Sequence, residues 1–301
     1  MKPLLPLLLP LALLAACTAD PAPPADAAAD PTPSAAAPAA SPAPAAARAL
    51  DAEAAAALDR AIAGAWRTPE FAARDAWRHP KETLAFFGVR PDMTVVEITP
   101  GGGWYTEILA PYLRERGTYV GAVVAPDSVP EDRRGYPTRA RDELRAKLGG
   151  APTEVYGRAT LVEYDPAAPA FGPDGSADAV LTFRNVHNWL MSGNAPAMFE
   201  GFHKVLKPGG VLGVVEHRAE HELPAGDRSG YVAEQTVIGL AEAAGFRLEE
   251  RSEVNANPRD TRDHPNGVWT LPPTNQHEEA DAQKYRDIGE SDRMTLRFVK
   301  G

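Results

Sequence analysis

The chain has 301 residues, with 31 Lys and Arg against 41 Asp and Glu and a formal net charge of −10. A chain this acidic, without a long Lys/Arg run, argues against a phosphate-backbone partner, so nucleic acid is not expected. It does not favour electrostatic adhesion to an anionic lipid surface either.

Residues 1–17 place one lysine before a short leucine-rich run. The run is too short to span a bilayer and has the length of a signal-peptide core. It ends in Leu14-Ala15-Ala16-Cys17, and Cys17 is the only cysteine in the chain. That tetrapeptide resembles the lipobox of bacterial lipoproteins. The resemblance implies cleavage, acylation of Cys17 as the new N-terminus, and attachment to a lipid bilayer through its acyl chains. On the same resemblance, Thr18 in place of Asp points to the outer membrane, with the folded part facing the periplasm. Residues 18–48 are almost wholly Ala and Pro. Prolines deny this segment a regular helix, and alanines offer too little apolar area to fold. A semi-extended spacer is expected, reaching on the order of 90 Å at about 3.1 Å per residue.

Residues 49–301 suffice for one well-buried domain with an elaboration. Helices are predicted over 50–66 and 70–87, the second kinked or restarted at Pro80 and closed by Gly88 and Pro91. A β-prone run over 94–98 carries Glu97 and breaks on Pro100, Gly101, Gly102 and Gly103. A helix over 104–116 follows, with Ile108, Leu109, Tyr112 and Leu113 on one face and Gly117 as its C-cap. A second strand is predicted over 118–124, a polar helix over 139–148, and a third strand over 159–165 ending in Asp165. A glycine-rich turn then leads into an apolar fourth strand ending at Phe183, and a helix over 196–206 precedes a fifth strand over 211–216. Strands that are apolar throughout and alternate with helices imply a parallel sheet covered on both faces. Ligands of such sheets sit beyond the carboxyl ends of the strands, which here carry Glu97, Asp165, residues 184–189 and residues 216–218.

Several of these pieces resemble class I S-adenosylmethionine (SAM) methyltransferases. Glu97-x-x-x-Gly101-x-Gly103 is similar to the family's first motif, with Thr99 where the first glycine usually stands. Leu206-Lys-Pro-Gly-Gly210 before the fifth strand is a frequent family feature, and the segment from Asp165 to Val180 looks like the one carrying the adenine-contacting acid. Residues 245–250 and 294–299 would then be strand six and an antiparallel strand seven. The resemblance implies a Rossmann-like α/β fold with a seven-stranded, mostly parallel sheet. Within the class, residues 100–106, 184–189 and 291–294 look like a group of predicted methyltransferases known by sequence more than by reaction.

The resemblance also implies site roles. Gly101, Gly102 and Gly103, with Pro100, would let backbone approach SAM, and Glu97 would sit near its methionine tail. Glu97 otherwise reads as a cap of the following helix, and Asp165 as either an adenine acceptor or a turn acid. Asp127 is the candidate for the ribose, although it comes late after strand two and reads equally as part of the turn. Asn185, His187, Asn188 and Trp189 follow strand four, where such enzymes place substrate-facing groups. His187 reads as a general base or as a histidine packed against Trp189. Trp104 and Tyr105 would wall the sulfonium or pack in the core.

No metal site is expected, because Glu216 and His217 are adjacent on a strand and diverge, leaving His221 and Glu222 without convergent partners. The long insertion over 255–292, with Trp269, reads as an ordered lid. Arg74, Asp75 and Arg78 read either as closing the other side of the pocket or, chiefly, as a solvated helix face. Two expectations follow: an envelope-anchored methyltransferase acting on a small-molecule or envelope acceptor, or a binding protein that reuses the SAM pocket. A scaffold with no ligand is a third reading, which the glycines and edge acids argue against.

Overall fold

The computed structural model describes residues 50–150 and 153–301. The leader, Cys17 and the Ala/Pro segment lie outside the described residues. No helix among the described residues is long and apolar enough to cross a membrane.

Seven strands build the sheet: β1 (Thr94–Ile98), β2 (Thr118–Val124), β3 (Thr160–Tyr164), β4 (Ala177–Phe183), β5 (Leu206–Ala219), β6 (Phe246–Ser252) and β7 (Arg293–Lys300). Their spatial order is β3-β2-β1-β4-β5-β7-β6, and only β7 runs antiparallel to its neighbours. This is the sheet the sequence leads one to expect. A two-residue strand, Val232–Ala233, pairs alongside the end of β5. Strand order reverses between β1 and β4, so the crevice beyond their carboxyl ends is the topological switch point where such sheets bind ligands.

Each face of the sheet is covered by helices. On one face Ala195–Val205 and Glu234–Ala243 bury Met198, Phe199, Phe202, Val237 and Ala241 against β4 and β5. On the other, Ala52–Ile62, Pro80–Phe86 and Thr106–Leu113 bury Leu58, Leu84, Ile108 and Leu109 against β1 and β2. The segment predicted over 70–87 restarts at Pro80 as expected, where His79 takes a left-handed φ of 41°, and is broken once more upstream, into Pro69–Ala72, Asp75–Arg78 and Pro80–Phe86. The fifth strand starts earlier than predicted, since Leu206 already pairs with Ala177 before the register shifts.

The helix expected over 104–116 spans only Thr106–Leu113, and Pro111 lies inside it. Proline at that position cannot donate to the carbonyl four residues back, Glu107. That carbonyl receives Trp66 Nε1 at 2.9 Å instead. The Glu107 carboxylate, itself buried, takes the Thr68 amide at 2.8 Å, the Thr68 hydroxyl at 2.7 Å and Lys147 Nζ at 2.5 Å. A proline defect thus becomes the anchor of the N-terminal helical segment.

Trp66→Phe should therefore cost about 1–2 kcal/mol by leaving the Glu107 carbonyl unpaired. Adding Pro111→Ala returns a backbone donor to that carbonyl and should recover part of the loss. Chemical denaturation of both single variants and the double variant measures the coupling; additive effects would refute the account.

Candidate functional site

The carboxyl ends of β1 and β4 meet beside the glycine turn. Asn185, just past β4, donates Nδ2 to the Ile98 carbonyl at 3.0 Å and to Thr182 Oγ1 at 3.2 Å, so the two strand ends are tied together. Two residues at this edge hold left-handed backbone without being glycine: Thr99, φ 50°, and Arg184, φ 61°. A β-branched residue in that region carries strain on the order of 1–3 kcal/mol. Thr99 is held there by its amide on the Ala122 carbonyl at 2.8 Å and by its hydroxyl against Tyr164 at 2.9 Å. Gly101 and Gly103 also take positive φ, 60° and 84°. A Cβ on Gly101 would meet nothing within 4 Å, whereas one on Gly103 would come within 3.0 Å of Lys147. Gly101 therefore leaves open backbone facing the crevice.

Two cavities adjoin at Thr99, Tyr136, Asn185 and Asn188. The larger, about 660 Å³, lies beyond β1, β2 and β3 and is lined among others by Val124, Ser128, Tyr164, Asp165 and Trp189. The second, about 340 Å³, is lined by Pro100, Gly101, Gly102, Trp104, Arg184, His187 and Trp269 among others. Both fall within the usual range for small-molecule sites. Asp165 lines the larger cavity and accepts the Ala167 amide on Oδ1 at 2.8 Å, so it serves as a turn acid while facing the crevice.

Three candidate residues, Asp127, Tyr105 and Glu97, do not line the two cavities, and Tyr105 takes the core-packing reading. Asp127 does not line either cavity; its side chain is 92 % exposed and pairs with Arg134 at 3.3 Å. The short 3₁₀ turn Pro126–Ser128 carries it outward and puts Ser128 at the cavity. Tyr105 belongs to the core, stacked on Phe183 with ring centroids 3.5 Å apart. Burial pushes its phenol up to about 12, which suits packing and not proton transfer. Glu97 is buried beneath the turn, its Oε2 accepting from Tyr119 at 2.7 Å and Thr106 at 3.0 Å. Trp104 does line the smaller cavity, but Arg67 and Arg78 occupy its ring at 5.2 and 4.9 Å.

His187 is paired with a buried carboxylate. Its Nδ1 lies 3.0 Å from Glu216 Oε1. The same Glu216 carboxylate accepts the Val186 amide at 2.6 Å and the His217 amide at 2.8 Å. A carboxylate that already takes backbone donors on both oxygens accepts from the ring, so Nδ1 is the donor of this pair. This is the pairing that orients a catalytic imidazole. Trp269, from the 255–292 segment, stands edge-on to His187 with centroids 6.0 Å apart, and Val268, Pro272 and Pro273 continue that wall.

His187, Glu216 and His217 bring ligand-type atoms within 4.8 Å of one another, so Glu216 and His217 converge on His187 where strand alternation leads one to expect them to diverge. His221, the partner suggested by the sequence, is 83 % exposed. The set suits a dyad better than a cation. Glu216 is taken up by backbone amides, and His217 is held neutral, its pKa pushed well below the ordinary range by burial and by His187, Arg184, Arg293 and Arg78. His217 Nδ1 instead meets Ser291 Oγ at 2.5 Å.

Glu97 yields a pH test. Burial raises its carboxyl to about 7, against the opposing hydrogen bonds from Tyr119 and Thr106. A carboxyl with a raised folded pKa contributes stability below its unfolded value, near 4.5, that is lost as pH climbs to about 7. The stability of the native protein relative to Glu97→Gln should fall by roughly 3 kcal/mol across that window. Parallel pH–stability curves would show that Glu97 ionises freely.

No protein-family model matches the sequence, and no curated protein matches it. Solved structures do. A SAM dependent methyltransferase from Aquifex aeolicus superimposes with a TM-score of 0.51 at 16% identity, over 82% of this chain and 98% of that one. The [4+2]-cyclase SpnF superimposes with a TM-score of 0.51 at 19% identity, over 82% of this chain and 93% of that one. At such identities the likeness shows the fold: a Rossmann-like α/β sheet of the class I methyltransferase type.

Proposed function

We propose that the protein is a SAM-dependent methyltransferase acting on a hydroxyl of a small-molecule or cell-envelope acceptor. The observation that carries this reading is the His187–Glu216 dyad opening onto the crevice beside an open glycine turn. The fold alone does not select the reaction, since the two solved structures differ in theirs.

The residues fit SAM in outline. Gly101 offers unobstructed backbone, the larger cavity accommodates a nucleoside, and Asp165 presents a carboxylate to an exocyclic amine. SAM supplies an electrophilic methyl on a sulfonium. The chain supplies position and a base. Asn185 and Asn188 border both cavities and so lie where cofactor and acceptor meet. With SAM bound, His187 would be placed to take the proton of an acceptor hydroxyl through Nε2, and Glu216 would stabilise the imidazolium. Trp269 and the two prolines beside it exclude water from that side. Anchoring through Cys17 belongs to the same proposal: the acceptor is then met at the envelope, and SAM must reach the site there.

A second reading, a binding protein reusing the pocket, rests on Thr99 in the motif and on Asp127 lying away from the cavities. Calorimetric titration of SAM and S-adenosylhomocysteine into the full chain separates the two. Micromolar binding of both is expected. Gly101→Val should weaken it at least 100-fold by filling the open face, and Asp165→Ala about tenfold, the worth of one hydrogen bond. No binding by the folded native protein would remove the methyltransferase reading.

A further inference from the structure

The smaller cavity carries positive charge that methyl transfer to a simple alcohol leaves unused. Arg74, Arg78 and Arg184 line it, and among the described residues Glu290 is the one carboxylate that does so. Glu290 is already committed. Its carboxylate receives Arg74 Nε at 2.7 Å, Arg78 Nε at 3.1 Å and Arg293 Nη1 at 3.0 Å. Arg78, Arg293 and Glu290 are all buried.

Arg184 is left over. Its half-buried side chain makes no hydrogen bond or ion pair with any described residue, and it lines the cavity. Arg74 Nη2 is likewise buried without a partner. Glu97, whose charge also feels Arg184, is turned to the hydroxyls of Thr106 and Tyr119. Arg184 feels Glu290 only at a distance and shares it with three other arginines, so a guanidinium partly withdrawn from water without a hydrogen-bonded counter-charge is costly, and an unsatisfied buried donor calls for an explanation. The backbone at Arg184 is moreover held left-handed by its amide on the Val215 carbonyl at 2.7 Å, so its direction is imposed by the sheet. A guanidinium's fork of donors matches a carboxylate or a phosphate.

We infer that Arg184 and Arg74 form an anion clamp in the acceptor half of the site, so that the acceptor is an acidic molecule whose carboxylate or phosphate docks there and whose hydroxyl reaches His187. The inference deepens the methyltransferase reading and rests on it for the word acceptor. The clamp itself stands on geometry alone. Carboxylate chemistry also has a second source, the amino-acid tail of SAM, and the experiment must tell the two apart.

Isothermal titration of the full chain with inorganic phosphate and with 4-hydroxybenzoate, each with and without saturating S-adenosylhomocysteine, provides the test. The native protein should bind at least one of these anions. Arg184→Ala should weaken that binding at least tenfold while changing S-adenosylhomocysteine affinity less than threefold. Arg184→Ala should also melt no lower than the native protein, because it removes an uncompensated charge. Arg74→Gln, which alters a different element, should weaken anion binding in the same direction. Native protein that binds neither anion, or binds equally well in both variants, overturns the clamp. A tenfold loss of S-adenosylhomocysteine affinity in Arg184→Ala assigns the clamp to the cofactor tail and overturns the acidic acceptor. Anion binding without any S-adenosylhomocysteine binding upholds the clamp and defeats the methyltransferase reading instead.

Discussion

The site depends on one buried carboxylate. Glu216 stands on β5, fully buried, and accepts the amides of Val186 and His217 together with His187 Nδ1. Because Val186 opens the helix Val186–Ser192, these bonds fix where the chain turns after β4 and which ring nitrogen of His187 faces the crevice. They also couple the catalytic candidate to the sheet itself, through the β4–β5 pairing. A neutral residue at this position would leave two backbone donors and an imidazole without direction.

Around that anchor the fold accepts local strain in order to aim side chains. Thr99 and Arg184 end adjacent parallel strands, and both are left-handed. Each is restrained by an amide bond to a neighbouring strand, Thr99 to Ala122 and Arg184 to Val215. The sheet over-determines these conformations, which is the condition under which strained residues persist. A glycine at position 99 would relieve the backbone, and it would also remove the hydroxyl that fixes Tyr164 in the wall of the larger cavity.

Much of this was legible in the sequence, and the reason is local. Fully apolar strands, the glycine turn and the residues just after β4 are read from neighbours in the chain, so the sheet, Gly101, Asp165, Asn185 and His187 could be placed in advance. What escaped depends on distant partners. Arg74 and Arg78 meet Glu290 more than 200 positions away, and His217 meets Ser291 across 74. Read locally, those arginines look chiefly like a solvated helix face and only secondarily like a side of the pocket; folded, they wall a cavity. For Tyr105 the sequence leaves two readings open, and the turn before Thr106 selects the core, against Phe183. Asp127 is misplaced by a turn whose direction no nearby residue announces. The one hint of the arginine cluster was the run Ser291-Asp-Arg293, part of the resemblance but silent about what it contacts.

The energetics bear on whether the domain is a scaffold. Three guanidiniums on one carboxylate, with a fourth unpaired, is a poor arrangement for stability, since packed apolar residues in place of buried ion pairs are often neutral or stabilising by 1–4 kcal/mol. Although burial works to raise the Glu290 carboxyl, Arg293, Arg78, Arg184 and Arg74 together hold it near 2. One carboxylate so surrounded cannot neutralise four arginines. A domain of this size has only about 5–15 kcal/mol of net stability. A chain selected only to fold would fill the same volume with leucine and phenylalanine, as it does on both faces of the sheet. Positive charge concentrated at a cavity wall, beside an oriented imidazole and at the switch point of the sheet, is explained by a ligand that brings the missing negative charge with it.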